Sequence, residues 1–167
     1  MSMLSKPMLD GLNEQVRHEI ISAYLYLSMS AYCESLNLPG FAKWLRLQWH
    51  EELEHGMKLY DMIHTRGGRV TLGAIDRPQA EWKSVSDIFQ NVLAHEQKVT
   101  AMINGLFGLA VKEGDYASQV ELQWFVKEQV EEEKNAADII AQLKMLGESG
   151  TPLLMLDRAL GARGSKG

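Results

Sequence analysis

His50-Glu51-Glu52-Leu53-Glu54-His55 places two histidines and three glutamates within one short stretch. Glu52 and His55 are three residues apart, so on a helix they lie one turn from each other on the same face. That face is apolar on either side but for Gln48: Phe41, Trp44, Leu45 and then Gln48 lead into it, and Leu59 and Met62 lead out. A carboxylate and an imidazole on a buried stripe need partners, because an unpaired buried charge costs several kcal/mol or more. Other interruptions of the same kind are Glu19, Glu96, Gln129 and Glu132, each set in its own apolar stripe. Four carboxylates and one imidazole meeting in an apolar interior cannot all be charged without a cation. Either several of the acids are neutral, or metal occupies the site. Carboxylate-rich donors with an imidazole suit iron(II) or manganese(II), with zinc as competitor. Two metals bridged by a shared carboxylate would use this number of ligands well.

The elements that must position these residues are helices. From Pro7, which suits a first turn, Leu12, Val16, Glu19, Ala23, Tyr26, Ser30 and Cys33 recur at helical spacing, giving a helix over about 7–36. Asn37-Leu38-Pro39-Gly40 is a short break that implies an antiparallel second helix, about 39–66, stopped by Gly67-Gly68. Residues 67 to about 84 carry Gly67, Gly68, Gly73 and Pro78 with no sustained period. Extended at ~3.3 Å per residue, they reach up to ~55 Å. A helix of about 28 residues is only ~42 Å long. The connection can therefore travel the whole bundle and start the third helix parallel to the second.

Ser86 is the expected N-cap of a third helix over about 85–113. A fourth covers about 116–146, and Thr151-Pro152 opens a short fifth over about 152–160. Residues 161–167 read as a disordered tail. The expected fold is all-α: a single-domain four-helix bundle with one long crossover, between helices two and three, plus a short fifth helix. Each polar interruption lies within about three residues, or ~4.5 Å of rise, of its helix midpoint. Midpoints coincide whichever way neighbours run, so the side chains are expected at one level.

Composition narrows the function classes. The chain has 167 residues, 46% hydrophobic and 23% charged, which suits one globular domain with a full core. A net charge of −5 argues against nucleic-acid binding and leaves cationic partners open. The single cysteine, Cys33, excludes an intramolecular disulfide framework and multi-cysteine metal sites. Residues 1–7 carry no apolar run suited to a signal peptide, and no stretch approaches the roughly 20 apolar residues of a membrane span. A cytoplasmic protein with no membrane partner is the expectation.

Two further groups lie near the stripe. Tyr26 is two turns from Glu19, where its phenol could bond a metal-bound carboxylate, give up an electron, or simply satisfy a core acceptor. Glu51, Glu128, Glu131 and Glu132 form a second acidic cluster; a solvated face is the plainer reading, supported by Lys127, Glu133 and Lys134. His50 and Glu54 fall off the stripe and read as surface residues. Trp124 and the other tryptophans read as packing.

These residues resemble one family, the bacterial non-haem ferritins of the ferritin-like di-iron superfamily. The likeness covers the whole chain. It is carried by Asn13-Glu14-Gln15 through Glu19, by Tyr24-Leu25-Tyr26, by Glu51-Glu52-Leu53-Glu54-His55, by Glu96 and by Trp124 to Glu133. The resemblance implies that Glu19, Glu52 and His55 hold a first iron. It implies that Glu52 bridges to a second iron bound also by Glu96, with Gln129 close by. Glu51, Glu128, Glu131 and Glu132 match the family's third iron site, and Tyr26 the tyrosine beside the centre.

Sibling families fit less well. Bacterioferritins have a haem-ligating methionine where this chain has Leu53, and a second Glu-x-x-His where Asn135 follows Glu132. No haem is expected. Rubrerythrins need a Cys-x-x-Cys that one cysteine cannot supply, and the miniature ferritins of starved bacteria lack a fifth helix.

The implied function is iron storage and detoxification. Iron(II) is oxidised by dioxygen or hydrogen peroxide at a ferroxidase centre, then stored as mineral in a homo-oligomeric shell of 24 subunits. The alternatives are a small di-metal oxidase or peroxidase without storage, and a non-catalytic bundle with acids at its seams.

Overall fold

The computed structural model describes residues 3–147 and 149–164. All regular structure among them is helical: α1 (Lys6–Ser35), α2 (Pro39–Thr65), α3 (Val85–Glu113), α4 (Tyr116–Leu146) and α5 (Gly150–Gly161). No helix among the described residues is long and apolar enough to cross a membrane.

Local chemistry sets the ends of these helices. Ser5 caps α1 by accepting a hydrogen bond from the Met8 amide at 3.1 Å, with Pro7 in the first turn. Asn37, at φ 58°, turns the chain into Pro39 and α2. The cap of α3 is Ser84, not Ser86. Its hydroxyl accepts from the Asp87 amide at 3.1 Å, and the Asp87 carboxylate accepts from the amide of Lys83, the residue before the cap, at 2.9 Å. The two bonds favour the earlier serine, and Val85 enters the core as the first helical residue. α5 likewise begins earlier than its Thr151-Pro152 signal, at Gly150.

α1 packs along α2, and α3 along α4. The two pairs are joined by the long connection, which is tied to α1 at successive points. Asn13 Nδ2 donates to the Arg69 carbonyl at 3.1 Å and Arg17 Nε to that of Ala74 at 2.6 Å. Ser28 then donates to Gln79 and Tyr32 to Trp82. The partners rise together along both segments, so the crossover runs parallel to α1 and delivers α3 parallel to α2. This is the single-crossover bundle expected from the length of the segment.

α5 lies against α2 and α4. Leu38, at the cap position of α2, has no side chain able to cap; Asp157 of α5 supplies the missing acceptor, taking the Phe41 amide at 2.9 Å. The approach depends on Gly40, where an added Cβ would lie 1.7 Å from the Asp157 carbonyl oxygen. Gly161, expected in the tail, is the last residue of this helix, and Lys43 Nζ donates to its carbonyl at 2.9 Å. Residues 162–164 follow without regular structure, and residues 165–167 of the expected tail lie outside the described residues.

The apolar core falls into two clusters. One, around Met29, Phe41, Leu45, Phe89 and Leu143, occupies the end where α5 sits; the other, around Met8, Leu12, Leu59, Ile103 and Leu122, occupies the opposite end. Between them lies a layer of buried polar side chains.

Candidate metal centre

Every α-helix of the bundle contributes to that layer. Glu19 of α1, Glu52 and His55 of α2, Glu96 of α3, and Gln129 and Glu132 of α4 are all buried, none more than 5% exposed. Each sits between apolar residues one or two turns away, such as Val16 and Ala23 around Glu19, or Val92 and Val99 around Glu96. The apolar flanks pull each helix inward and carry the acids with them.

Ligand atoms of Glu19, Glu52 and His55 all lie within 4.8 Å of one another. His55 Nδ1 is 3.4 Å from Glu52 Oε2 and 3.9 Å from Glu19 Oε2. Gln15 orients Glu19 from one turn earlier, donating to Oε1 at 2.7 Å. On the far side, Tyr26 donates to Glu96 Oε1 at 2.5 Å and Gln129 donates to Glu96 Oε2 at 3.0 Å. Gln129 is thus a hydrogen-bond partner of Glu96 in this structure. Gln48 donates to Glu132 Oε2 at 2.7 Å.

A second group, His55, Glu128 and Glu132, also brings its ligand atoms within 4.8 Å. The other two residues of the expected outer cluster are placed differently. Glu51 is buried but gives Oε1 to Arg163 at 2.8 Å, and Glu131 is exposed. His50 and Glu54 are exposed, as expected.

The electrostatics show what the layer lacks. Among the described residues, five of its buried acceptor oxygens have no hydrogen-bond donor: Glu19 Oε2, Gln48 Oε1, Glu51 Oε2, Glu52 Oε1 and Glu132 Oε1. Burial pushes the Glu52 carboxyl well above the usual range, and the carboxylates of Glu96 and Glu19 push it further. Burial raises Glu96 to about 7, against hydrogen bonds from Tyr26 and Gln129 that favour its charged form. Glu132 is raised to about 7 by burial and then by the charge of Glu96, with Gln48 opposing. The Tyr26 phenol is held well above its ordinary value by burial and by Glu96. Such a layer is short of positive charge, and the donor set fits iron: oxygen-rich, with one imidazole.

Comparison with known proteins fixes the lineage. The model of the ferritin-like domain family, Ferritin, matches residues 9–146. The bacterial non-heme ferritin of Staphylococcus haemolyticus is 40% identical over 161 residues, 96% of this chain and 97% of that protein. A probable bacterial non-heme ferritin-like protein of Haemophilus influenzae is 38% identical over 164 residues, 98% of this chain and 99% of its own. Among solved structures, an open pore ferritin from the archaeon Archaeoglobus fulgidus superposes with a TM-score of 0.96 at 47% identity, covering 98% of this chain and 100% of that one.

The chain belongs to the ferritin family. Its function is accordingly iron storage. Within this ferritin, three features of the centre escaped the sequence reading. Gln15 and Gln48 are buried and orient two of the acids; their spacing from the acidic stripe, four before Glu19 and four before Glu52, was the available signal. Trp124, read as packing, stands edge-on to His55 with centroids 5.3 Å apart, and the Lys58 ammonium lies 4.4 Å above its ring. Arg163 comes from a segment with no periodicity and left no signal.

Proposed function

We propose that this ferritin is a ferroxidase whose centre is built from Glu19, Glu52, His55 and Glu96, with Gln129 and Tyr26 as supporting residues. The observation that carries the reading is the set of buried acceptor oxygens with no donor, gathered from α1, α2 and α4 at one level. Leaving such groups unsatisfied costs about 1–3 kcal/mol each, and more for charged ones. A cation bound there repays that cost.

Iron(II) is the substrate. Glu19, Glu52 and His55 hold one ion, and Glu52 and Glu96 a second. Two irons each give up one electron, and dioxygen, taking two electrons and two protons, leaves as hydrogen peroxide; with peroxide as oxidant the product is water. The carboxylate-rich surroundings favour the higher charge of iron(III). Tyr26 fixes Glu96 through Oε1 and Gln129 fixes it through Oε2, so the second position is shaped before iron arrives. Glu128 and Glu132, gathered with His55, are the base of a third, outer position through which iron passes toward storage; Glu51 joins it in exchange for its Arg163 partner, and Glu131 from the exposed side. The working form is a cytoplasmic homo-oligomeric shell of 24 subunits.

An aerobic iron(II) titration of metal-free protein, followed by absorbance, tests this. A fast phase saturating at about two to three irons per chain, then continued soluble uptake, is expected. A fast phase with no uptake beyond it would instead indicate a di-metal oxidase, and no protein-dependent oxidation would sink the assignment.

A further inference from the structure

Arg163 crosses from the residues after α5 to the edge of the metal layer. Its Nη2 lies 2.8 Å from Glu51 Oε1, its Nη1 donates to the Trp44 carbonyl at 3.4 Å, and its guanidinium stacks 4.8 Å above the Trp44 ring. Both members of the ion pair are shielded, with side chains 16% and 10% exposed. The position is fixed by α5, anchored through Asp157 on the Phe41 amide, Gly161 on Lys43, and the bare Gly40 surface.

The other oxygen of the same carboxylate, Glu51 Oε2, is buried and has no donor. Glu51 is also close enough to Glu132 for its charge to raise that carboxyl. One oxygen of Glu51 is therefore held by a tethered cation, while the other is buried and has no donor to satisfy it. A divalent ion drawing on Glu51 competes directly with the guanidinium for the same negative charge.

We propose that Arg163 is a built-in competitor for the outer metal position, a tethered cation that weakens binding of a divalent ion at Glu51 and so keeps iron from resting there. The proposal rests on the metal reading of the polar layer given above. Inner ligands Glu19, Glu52 and His55 have no part in the Arg163 contact, so the competition is confined to the outer position. Coupling is reciprocal: an ion at the outer position loosens Arg163, and with it the seat of α5.

Zinc(II), which does not undergo oxidation, is the probe for calorimetric titration of the assembled, metal-free protein. Wild type is expected to show a tight class and a weaker outer class. In Arg163→Gln the outer class tightens by about tenfold, within the usual range for coupled sites, while the tight class stays within about twofold. In Glu51→Gln/Arg163→Gln that gain vanishes, because the charge competed for is gone. An outer class unmoved by Arg163→Gln, or a gain that persists without Glu51, overturns the proposal. Loss of the tight class in wild type would sink the metal reading and this inference together. A second measurement needs no variant: amide exchange of residues 153–160 in wild type rises as zinc fills the outer class. Unchanged exchange overturns the coupling.

Discussion

Glu52 has one carboxylate oxygen near His55 and the other without a donor, a placement that makes little sense for stability alone. Glu52→Ala is expected to lower the rate of rapid iron oxidation by about 100-fold or more, the scale of losing a direct ligand rather than a supporting one. Metal-free Glu52→Ala is expected to melt no lower than wild type, because it removes a buried carboxyl with an oxygen that has no donor, beside the acids Glu96 and Glu19. A large drop in its melting temperature would mean the carboxylate serves the fold. His55→Ala is expected to lose oxidation likewise.

The raised carboxyls also set a pH dependence. Glu96 and Glu132 titrate near 7 in the fold against an ordinary value of 4.5. Between those values the folded state holds more protons than the unfolded one, so their contribution makes stability fall as pH rises. Thermal melts of metal-free protein should show the melting temperature declining from about pH 4.5 to about pH 7, then levelling. Divalent metal, which needs the charged carboxylates, should flatten that decline.

At this scale the sequence was informative where a residue contradicts its neighbours. Glu19 or Glu96 in an apolar stripe stands out. Gln15 and Gln48 do not, since a buried glutamine reads like any polar position until its partner is known.

Among the elements, the crossover and α5 carry the most consequence. The crossover was legible because glycine and proline suppress periodicity over a length that only a bundle-spanning connection needs. Its attachment was not, since Arg17 and Ala74, or Ser28 and Gln79, meet only after folding. α5 supplies the acceptor that α2 lacks at its start, and Gly40 is what admits it. Gly40→Ala is expected to push α5 off its seat, with a loss of about 2 kcal/mol or more from overpacking. Amide exchange should rise in residues 153–160 and at the Phe41 amide while α3 stays protected. Equal exchange across the chain would show that α5 does not depend on that contact.

A related brace joins the other end of α2 to α4. Arg66 pairs with Asp115 at 3.0 Å and donates to Ser118 at 3.1 Å, nearly out of solvent. Asp115 is held below its ordinary value, with its hydrogen bonds to Ser118 and Arg66 outweighing its burial. Arg66→Ala, which leaves Asp115 without its charge partner, is expected to cost about 3 kcal/mol in denaturant unfolding. Neither residue lies on an apolar stripe, so periodicity gave no hint of the pair.

For the molecule as a whole, exposed apolar side chains include Tyr116 at 78%, Val120 at 69% and Val130 at 67% on α4, and Met155 at 65% on α5. Their burial between copies of this chain is expected to hold the shell together. Light scattering should report a high-order assembly. A monomer or dimer mass would remove the shell from the reading. The fold class was legible at this scale because five helix-length stripes and one long break allow few arrangements. The number of copies was not, since the same exposed residues could line a contact between two chains or many.

The division of the core into two apolar clusters has a mechanical meaning. Each end of the bundle is a complete hydrophobic grip, while the span between them is tied by hydrogen bonds from Gln15 to Glu19, Gln48 to Glu132, and Tyr26 and Gln129 to Glu96. The apolar ends hold the helices together without help from the middle. The polar waist is therefore free to trade its protons for cations, load after load, while the grips at either end keep the frame.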